Sequence, residues 1–236
     1  KEYLLKKPDT KVPVINSSCP AVIRLIQMRF PDLIPNIIDI ETPIEITARI
    51  AKTEASKRIG LSLEDIGIFF ITPCTARVTS IRNPLGISKS YVNGAISMKE
   101  IYGEIVRNLV THNTPNMGTS TKESLFWPIA GGQAEALNIE NYLAVDGIHD
   151  VIRVLEEIEL GKLEDVEFIE CSACTGGCVG GPLVIQNSFI AKNRIMKYSR
   201  KVEDTKHTAE ELNKFIEMYE SGFIRLTEKI EPKPVM

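Results

Sequence analysis

The stretch Ile66-Gly67-Ile68-Phe69-Phe70-Ile71-Thr72 constrains the fold more than any other part of this 236-residue chain. A continuous apolar run of that length reads as a strand buried on both faces, the pattern of a parallel sheet. It runs directly into Pro73-Cys74, which places a cysteine just past the strand's carboxyl end. Parallel strands need crossover connections, most often helices. The sequence supplies them in alternation. A first strand is expected at Val12 to Asn16, then a helix with Ser18 as N-cap and Pro20 in its first turn. Its apolar face carries Val22, Ile23, Leu25, Ile26 and Met28.

A second helix should start at Pro43 and end near Gly60, with Ile46, Ile50 and Ala51 on its buried side. A strand near Ala95 to Met98 precedes a helix through Ile101, Ile105 and Leu109. The polar stretch from His112 to Lys122 reads as a loop. Beyond Trp127 the pattern predicts a helix near Gln133 to Ile139 and a strand from Tyr142 to Val145. A helix from Asp150 to Ile158 and a strand from Val166 to Ile169 follow. Helices over Ile185 to Lys201 and Thr208 to Tyr219 close the chain. The fold class is therefore α/β, with mostly parallel sheets flanked by helices. In such folds ligands gather at the carboxyl ends of the strands.

Composition narrows the function classes. With 43% hydrophobic and 25% charged residues, the chain can build a core without disulfides and is not a disordered segment. Its apolar runs are too short for a membrane span. A net charge of −3 leaves no electrostatic footprint for nucleic acid. The basic run from Lys192 to Lys206 reads as the solvated face of a helix. The chain opens at Lys1 without a signal segment and closes on Pro232-Lys233-Pro234-Val235-Met236. The expectation from these ends is a cytoplasmic piece of a longer protein.

The chemistry lies in five cysteines, Cys19, Cys74, Cys171, Cys174 and Cys178. An odd number without a secretory signal argues against a disulfide framework. Cys19 follows the first predicted strand, Cys74 the second, and the last three follow the strand ending at Ile169. Three groups past three strand ends can converge on one point. The last group reads Glu170-Cys171-Ser172-Ala173-Cys174-Thr175-Gly176-Gly177-Cys178-Val179-Gly180-Gly181-Pro182. Small residues and glycines let backbone N–H groups approach a bulky ligand. An iron–sulfur cubane, which needs four thiolates, is the natural occupant. Two alternatives stay open. One is a four-thiolate zinc site, although such sites are built from two close pairs and Cys19 and Cys74 stand singly. The other is a set of buried thiols without metal.

Taken in order, these segments resemble the cluster-binding motifs of the [FeFe]-hydrogenase large subunit. Ser17-Ser18-Cys19-Pro20 is similar to its Cys-Cys-Pro turn, and Thr72-Pro73-Cys74-Thr75-Ala76-Arg77 to its Met-Pro-Cys-x-x-Lys motif. Cys174-Thr175-Gly176-Gly177-Cys178-Val179-Gly180-Gly181 resembles its third motif. Trp127-Pro128-Ile129-Ala130-Gly131-Gly132-Gln133-Ala134-Glu135-Ala136 resembles the family's Gly-Gly-x-x-Glu-Ala stretch.

The resemblance implies a two-lobed, iron-only hydrogenase-like domain over residues 1–236, a part of the large subunit's C-terminal domain without its upstream portion. It implies that Cys19, Cys74, Cys174 and Cys178 hold a [4Fe–4S] cluster. Cys178 would also bridge to a two-iron subcluster that interconverts H2 with protons and electrons. Thr72, Trp127, Ser172, Gly176 and Gly177 would line the cofactor, and Cys171 would be a spectator. The upstream acidic residue of the family's proton route has no match here, and neither has a ferredoxin-like Cys-x2-Cys-x2-Cys-x3-Cys run.

The departures shape the expected function. Ser18 stands where active members carry a proton-relaying cysteine, and a hydroxyl is a far poorer acid than a thiol. Arg77 replaces the lysine that donates to a cyanide ligand, with a wider and rigid fork. Thr72 and Ser172 replace methionines and make the pocket more polar. These changes resemble the sensory branch of the family. The leading expectation is a slow, sensory hydrogenase domain acting on H2 and protons, with Ser18 and Arg77 as its catalytic residues. Its partners would be redox or signalling domains of a longer parent chain. The alternative is a non-catalytic hydrogenase-like protein that holds only the cubane and serves in assembly or interaction. His112, His149 and His207 are too scattered to read as ligands, and Glu135 reads as a carboxylate favoured by a helix start.

Overall fold

The computed structural model describes residues 11–109, 121–202 and 208–233. His112, Lys206, His207, Pro234-Val235-Met236 and the predicted loop as far as residue 120 lie outside them. In chain order the regular elements are β1 (Val14–Ile15), α1 (Pro20–Arg29), α2 (Pro43–Ile59), β2 (Phe69–Thr72), α3 (Thr75–Arg82), β3 (Gly94–Ser97) and α4 (Met98–Asn108). They continue as α5 (Lys122–Phe126), α6 (Gly132–Ala136), β4 (Tyr142–Asp146), α7 (Ile148–Glu159), β5 (Phe168–Ser172), α8 (Ser188–Ser199) and α9 (Ala209–Glu220). A three-stranded sheet has the order β1-β5-β4, and β2 pairs with β3 in a second sheet. Every pairing is parallel. The predicted α/β class with helix-flanked parallel sheets is what the structure shows.

The three-stranded sheet carries the main core. All five residues of β5 are buried. Ile15 and Ile169 pack with Val22 and Ile26 of α1 and with Val151 and Leu155 of α7. Val151, Leu155 and Ile158 recur at four and three residues and so form one stripe. Burying each such side chain contributes about 1.5–3 kcal/mol. At the end of α2, Gly60 takes the left-handed conformation, φ 71°, where a glycine carries no Cβ penalty.

Four expectations need correction. The run from Ile66 is not buried on both faces: only Phe69–Thr72 is strand, with Phe69 65% and Ile71 44% exposed. Among the described residues the face of β2 that carries Phe69 and Ile71 is only thinly covered. The buried line of α2 is not Ile46, Ile50 and Ala51, which are half-buried, but Glu45 and Ala48. The cause is polar: Glu45 accepts from the Ser90 hydroxyl (2.7 Å) and the Tyr91 N–H (2.8 Å). Arg49, on the same helix, pairs with buried Glu41 at 2.7 Å between the rings of Tyr91 and Phe223. Third, the N-cap of α1 is Cys19, not Ser18. Last, β5 starts and ends later than predicted, so Cys171 and Ser172 are paired strand residues opposite Val145 and Asp146.

A cavity of about 710 Å³ lies beside Pro13, Asn36, Ile158 and Leu163, where β1 begins, and includes none of the predicted site residues.

Candidate metal centre

The cysteines sit where parallel strands end. Cys19 is the N-cap residue of α1, four residues past β1, and Cys74 is the N-cap of α3, two past β2. Neither helix start has a side-chain cap. Cys174 and Cys178 bracket the turn after β5, and Cys178 opens a short 3₁₀ turn, Cys178–Gly180. All are free thiols. This is the carboxyl-end location that the α/β rule gives for ligands.

Arg77 interacts electrostatically with three of the four. Burial holds its guanidinium below the usual arginine value, while Cys178, Cys19 and Cys74 act in the opposite direction. Loss of water around its sulfur pushes the Cys178 thiol up to about 11, with Cys19, Cys74 and Cys174 adding to the shift, although the residue as a whole is exposed. Cys174 is raised by burial, then by Cys74 and Cys19. The Arg77 guanidinium also donates through Nη2 to the Ser18 carbonyl oxygen (2.5 Å), and its buried Nη1 has no hydrogen-bond partner among the described residues. Arg77 therefore ties the first two cysteine turns to each other. Among the described residues no three Cys, His, Asp or Glu side chains close tightly enough to hold a single metal ion.

Cys171 differs from the other four. It is fully buried within β5, and burial pushes its thiol up to about 12, with Cys19 and Glu170 adding to the effect. Its place inside a paired strand sets it apart, and not its acidity, since the Cys178 thiol is pushed up nearly as far.

Backbone hydrogen bonds join the motif segments. The Leu183 N–H donates to the Pro73 carbonyl (2.9 Å), the Ala130 N–H to Gly176 (3.2 Å) and the Val179 N–H to Pro128 (3.2 Å). Gly177, at φ 87°, has its α-carbon against this joint: a Cβ there would lie 2.6 Å from Ala130 N. The Gly176 N–H donates to the Asp146 carboxylate. Thr72 is fully buried and its hydroxyl oxygen accepts from the Cys74 N–H (3.1 Å). Ser172 is buried at the end of β5, and its carbonyl accepts from Gly147 N–H (3.0 Å). Trp127 is half-buried at the end of α5, next to Pro128. His149 is exposed in the first turn of α7.

The sequence reading missed three polar residues. Glu170 is 1% exposed, and its carboxylate accepts from the N–H groups of Gly131, Gln133 and Ala134, each at 3.0 Å. It caps α6 from a neighbouring strand, whereas Glu135 is exposed. Burial nonetheless holds its carboxyl above the usual range. Gln133 Oε1 accepts from Asn16 Nδ2 (3.1 Å) and from the Ser18 hydroxyl (2.9 Å). Asn16 Oδ1 accepts from the Cys171 N–H (2.9 Å). The only signal for this network was a charged residue, Glu170, inside an apolar strand.

The family model described as iron only hydrogenase large subunit, C-terminal domain, matches residues 1–142 and 133–182. The chain belongs to that family. It is 25% identical over 240 residues to the periplasmic [Fe] hydrogenase large subunit of Nitratidesulfovibrio vulgaris, covering 82% of this chain and 57% of that protein. It is 22% identical to the NADP-reducing hydrogenase subunit HndD of Solidesulfovibrio fructosivorans, over 76% of this chain and 38% of that one. The chain thus spans about half the length of these curated relatives. A shorter stretch of 63 residues is 32% identical to the cytosolic Fe-S cluster assembly factor NAR1 homologue of Schizosaccharomyces japonicus, covering 27% of this chain and 12% of that protein. A solved [FeFe]-hydrogenase structure from Chlamydomonas reinhardtii shares the fold, with a TM-score of 0.63 at 16% identity, over 97% of this chain and 76% of that one.

Proposed function

We propose that Cys19, Cys74, Cys174 and Cys178 hold a [4Fe–4S] cluster in a slow, sensory hydrogenase domain. One observation carries the reading: a buried guanidinium, its Nη1 unpartnered among the described residues, set among cysteines at three strand ends. A buried cation without a full set of partners is costly. A thiolate-ligated cluster, which is anionic, would offset that cost. Cys19 and Cys74 stand singly in separate turns, whereas four-thiolate zinc sites are built from two close pairs, which favours a cubane over the zinc alternative.

When bound, the cubane would supply single-electron transfer, and a two-iron subcluster held with the help of Cys178 would add the interconversion of H2 with protons and electrons. The chain's own residues determine how well. Arg77 lowers the cost of bringing thiolates together and orients the Ser18 carbonyl. Thr72 and Ser172 give the pocket hydroxyls where active members carry methionines. Gly176 and Gly177 keep the backbone close to the third motif. Ser18 takes the relay position with a weak acid. These features support slow turnover, which redox or signalling domains of a longer chain would read out.

A second reading rests on the match to an iron–sulfur assembly factor: a cubane alone, with no turnover. Iron, sulfide and zinc per chain decide, on protein made anaerobically with the maturation machinery. About six irons with infrared bands of metal-bound CO and cyanide support the hydrogenase reading. About four irons without those bands support the second, and zinc in their place overturns both.

A further inference from the structure

The hydrogen bonds running from Cys171 to Ser18 have only one direction open to them. A backbone N–H can only donate. The Cys171 N–H therefore fixes which end of the Asn16 amide faces it: the oxygen, at 2.9 Å. That choice turns the Asn16 NH2 group towards Gln133, so the Gln133 atom 3.1 Å away is the carbonyl oxygen Oε1. The same oxygen lies 2.9 Å from Ser18 Oγ and has no proton to give. The Ser18 hydroxyl must donate. Asn16 and Gln133 are 3% and 5% exposed, so the polarity set at Cys171 is carried through buried amides that water does not reorient. Gln133 is itself held in place by its own N–H, which donates to the buried Glu170 carboxylate (3.0 Å).

We infer that Gln133 is a positioning residue that holds the Ser18 hydroxyl proton. Ser18 is thereby an acceptor, not an acid, towards any group bound beside Cys19. The residue at the relay position is then withheld twice, by the low acidity of a hydroxyl and by an acceptor already occupying its one proton. The bond direction stands on the network alone; its consequence for proton transfer rests on the cluster reading above. The two fail separately, because the test below needs no metal.

The full chain contains three glutamines, Gln27, Gln133 and Gln186. Metal-free protein labelled with ¹³C and ¹⁵N glutamine gives three side-chain amide signal sets, and Gln133→Met assigns one by removing it. In Ser18→Ala the Gln133 carbonyl carbon should move upfield, since it loses an accepted hydrogen bond, while its NH2 signals stay in place. Movement of the NH2 signals, or an unmoved carbonyl carbon, overturns the inference. A second variant tests the polarity itself. Asn16→Asp still accepts from the Cys171 N–H but offers no proton to Gln133, whose amide should turn its NH2 towards it. In that background the response to Ser18→Ala should shift from the carbonyl carbon to the NH2 signals. A carbonyl response that persists there overturns the relay of polarity.

Discussion

The two sheets of this protein are built to different standards. In the three-stranded sheet β5 is buried along its whole length and is covered by α1 and α7. In the two-stranded sheet β2 alternates exposed and half-buried residues before Thr72, and no residue of α3 or α4 is buried as a whole, although the Arg77 guanidinium tip of α3 is. Three of the four candidate ligands, Cys19, Cys174 and Cys178, belong to the first sheet, and only Cys74 to the second. One side of the site is thus held by a dense core and a buried polar network. The other is held by Arg77, by the Pro73–Leu183 bond and by little else that is dry. The lesson is that preorganisation of a candidate metal site can be lopsided.

Substitutions can break or sharpen this contrast. The largest effect should come at the centre itself. Cys178→Ser should abolish retention of iron after anaerobic reconstitution, whereas Cys171→Ser should leave iron per chain near that of the unaltered protein. Equal losses would remove the distinction between a ligand at a strand end and a spectator within the strand.

Core packing comes next. Leu155→Ala, in the three-stranded half, should cost about 2–5 kcal/mol in urea unfolding. Ile71→Ala, in the two-stranded half, should stay within about 0.5 kcal/mol, as surface changes do. Comparable costs would mean that β2 is covered in solution by something the described residues do not show.

Glu170→Gln should follow, at about 1–3 kcal/mol, because an amide has one acceptor oxygen for three buried N–H groups that the carboxylate now satisfies. Its counterpart in the other half is Glu100, which completes a capping box with Ser97 at the exposed start of α4. Glu100→Gln should change the unfolding midpoint little. If the two substitutions proved equal, the buried cap would have no special standing.

The smallest effect concerns pH. Burial holds the Glu41 carboxyl above its ordinary value of 4.5 despite the neighbouring Arg49. The folded protein then binds that proton more readily than the unfolded chain does. Stability contributed by this group falls as pH rises above 4.5 through the folded value, and is level beyond it. Glu41→Gln should flatten that fall in a series of urea midpoints. An unchanged slope would place the pH dependence elsewhere.

Much of this architecture was legible in the residues. Alternating strand and helix patterns gave the α/β class, Pro20 and Pro43 marked helix starts, and Gly60 marked a helix end. The ordered cysteine motifs pointed to the family before any coordinates. What could not be read was burial. Ile66–Thr72 looks like a strand covered on both sides, because apolar periodicity reports what a strand could bury and not what packs against it. The polar line Glu41, Glu45 and Arg49 was hidden for the complementary reason: its partners, Ser90, Tyr91 and Phe223, are distant in sequence.

The sequence by itself determined the family, the order of the motifs and the replacement of a thiol by the Ser18 hydroxyl, since residue identity and local pattern suffice for those. Tertiary structure decided which cysteine lies inside a strand, which carboxylate caps α6 and where the Ser18 proton points. Each of these depends on donors and acceptors more than twenty residues apart being brought together out of water, and no local pattern encodes such a meeting.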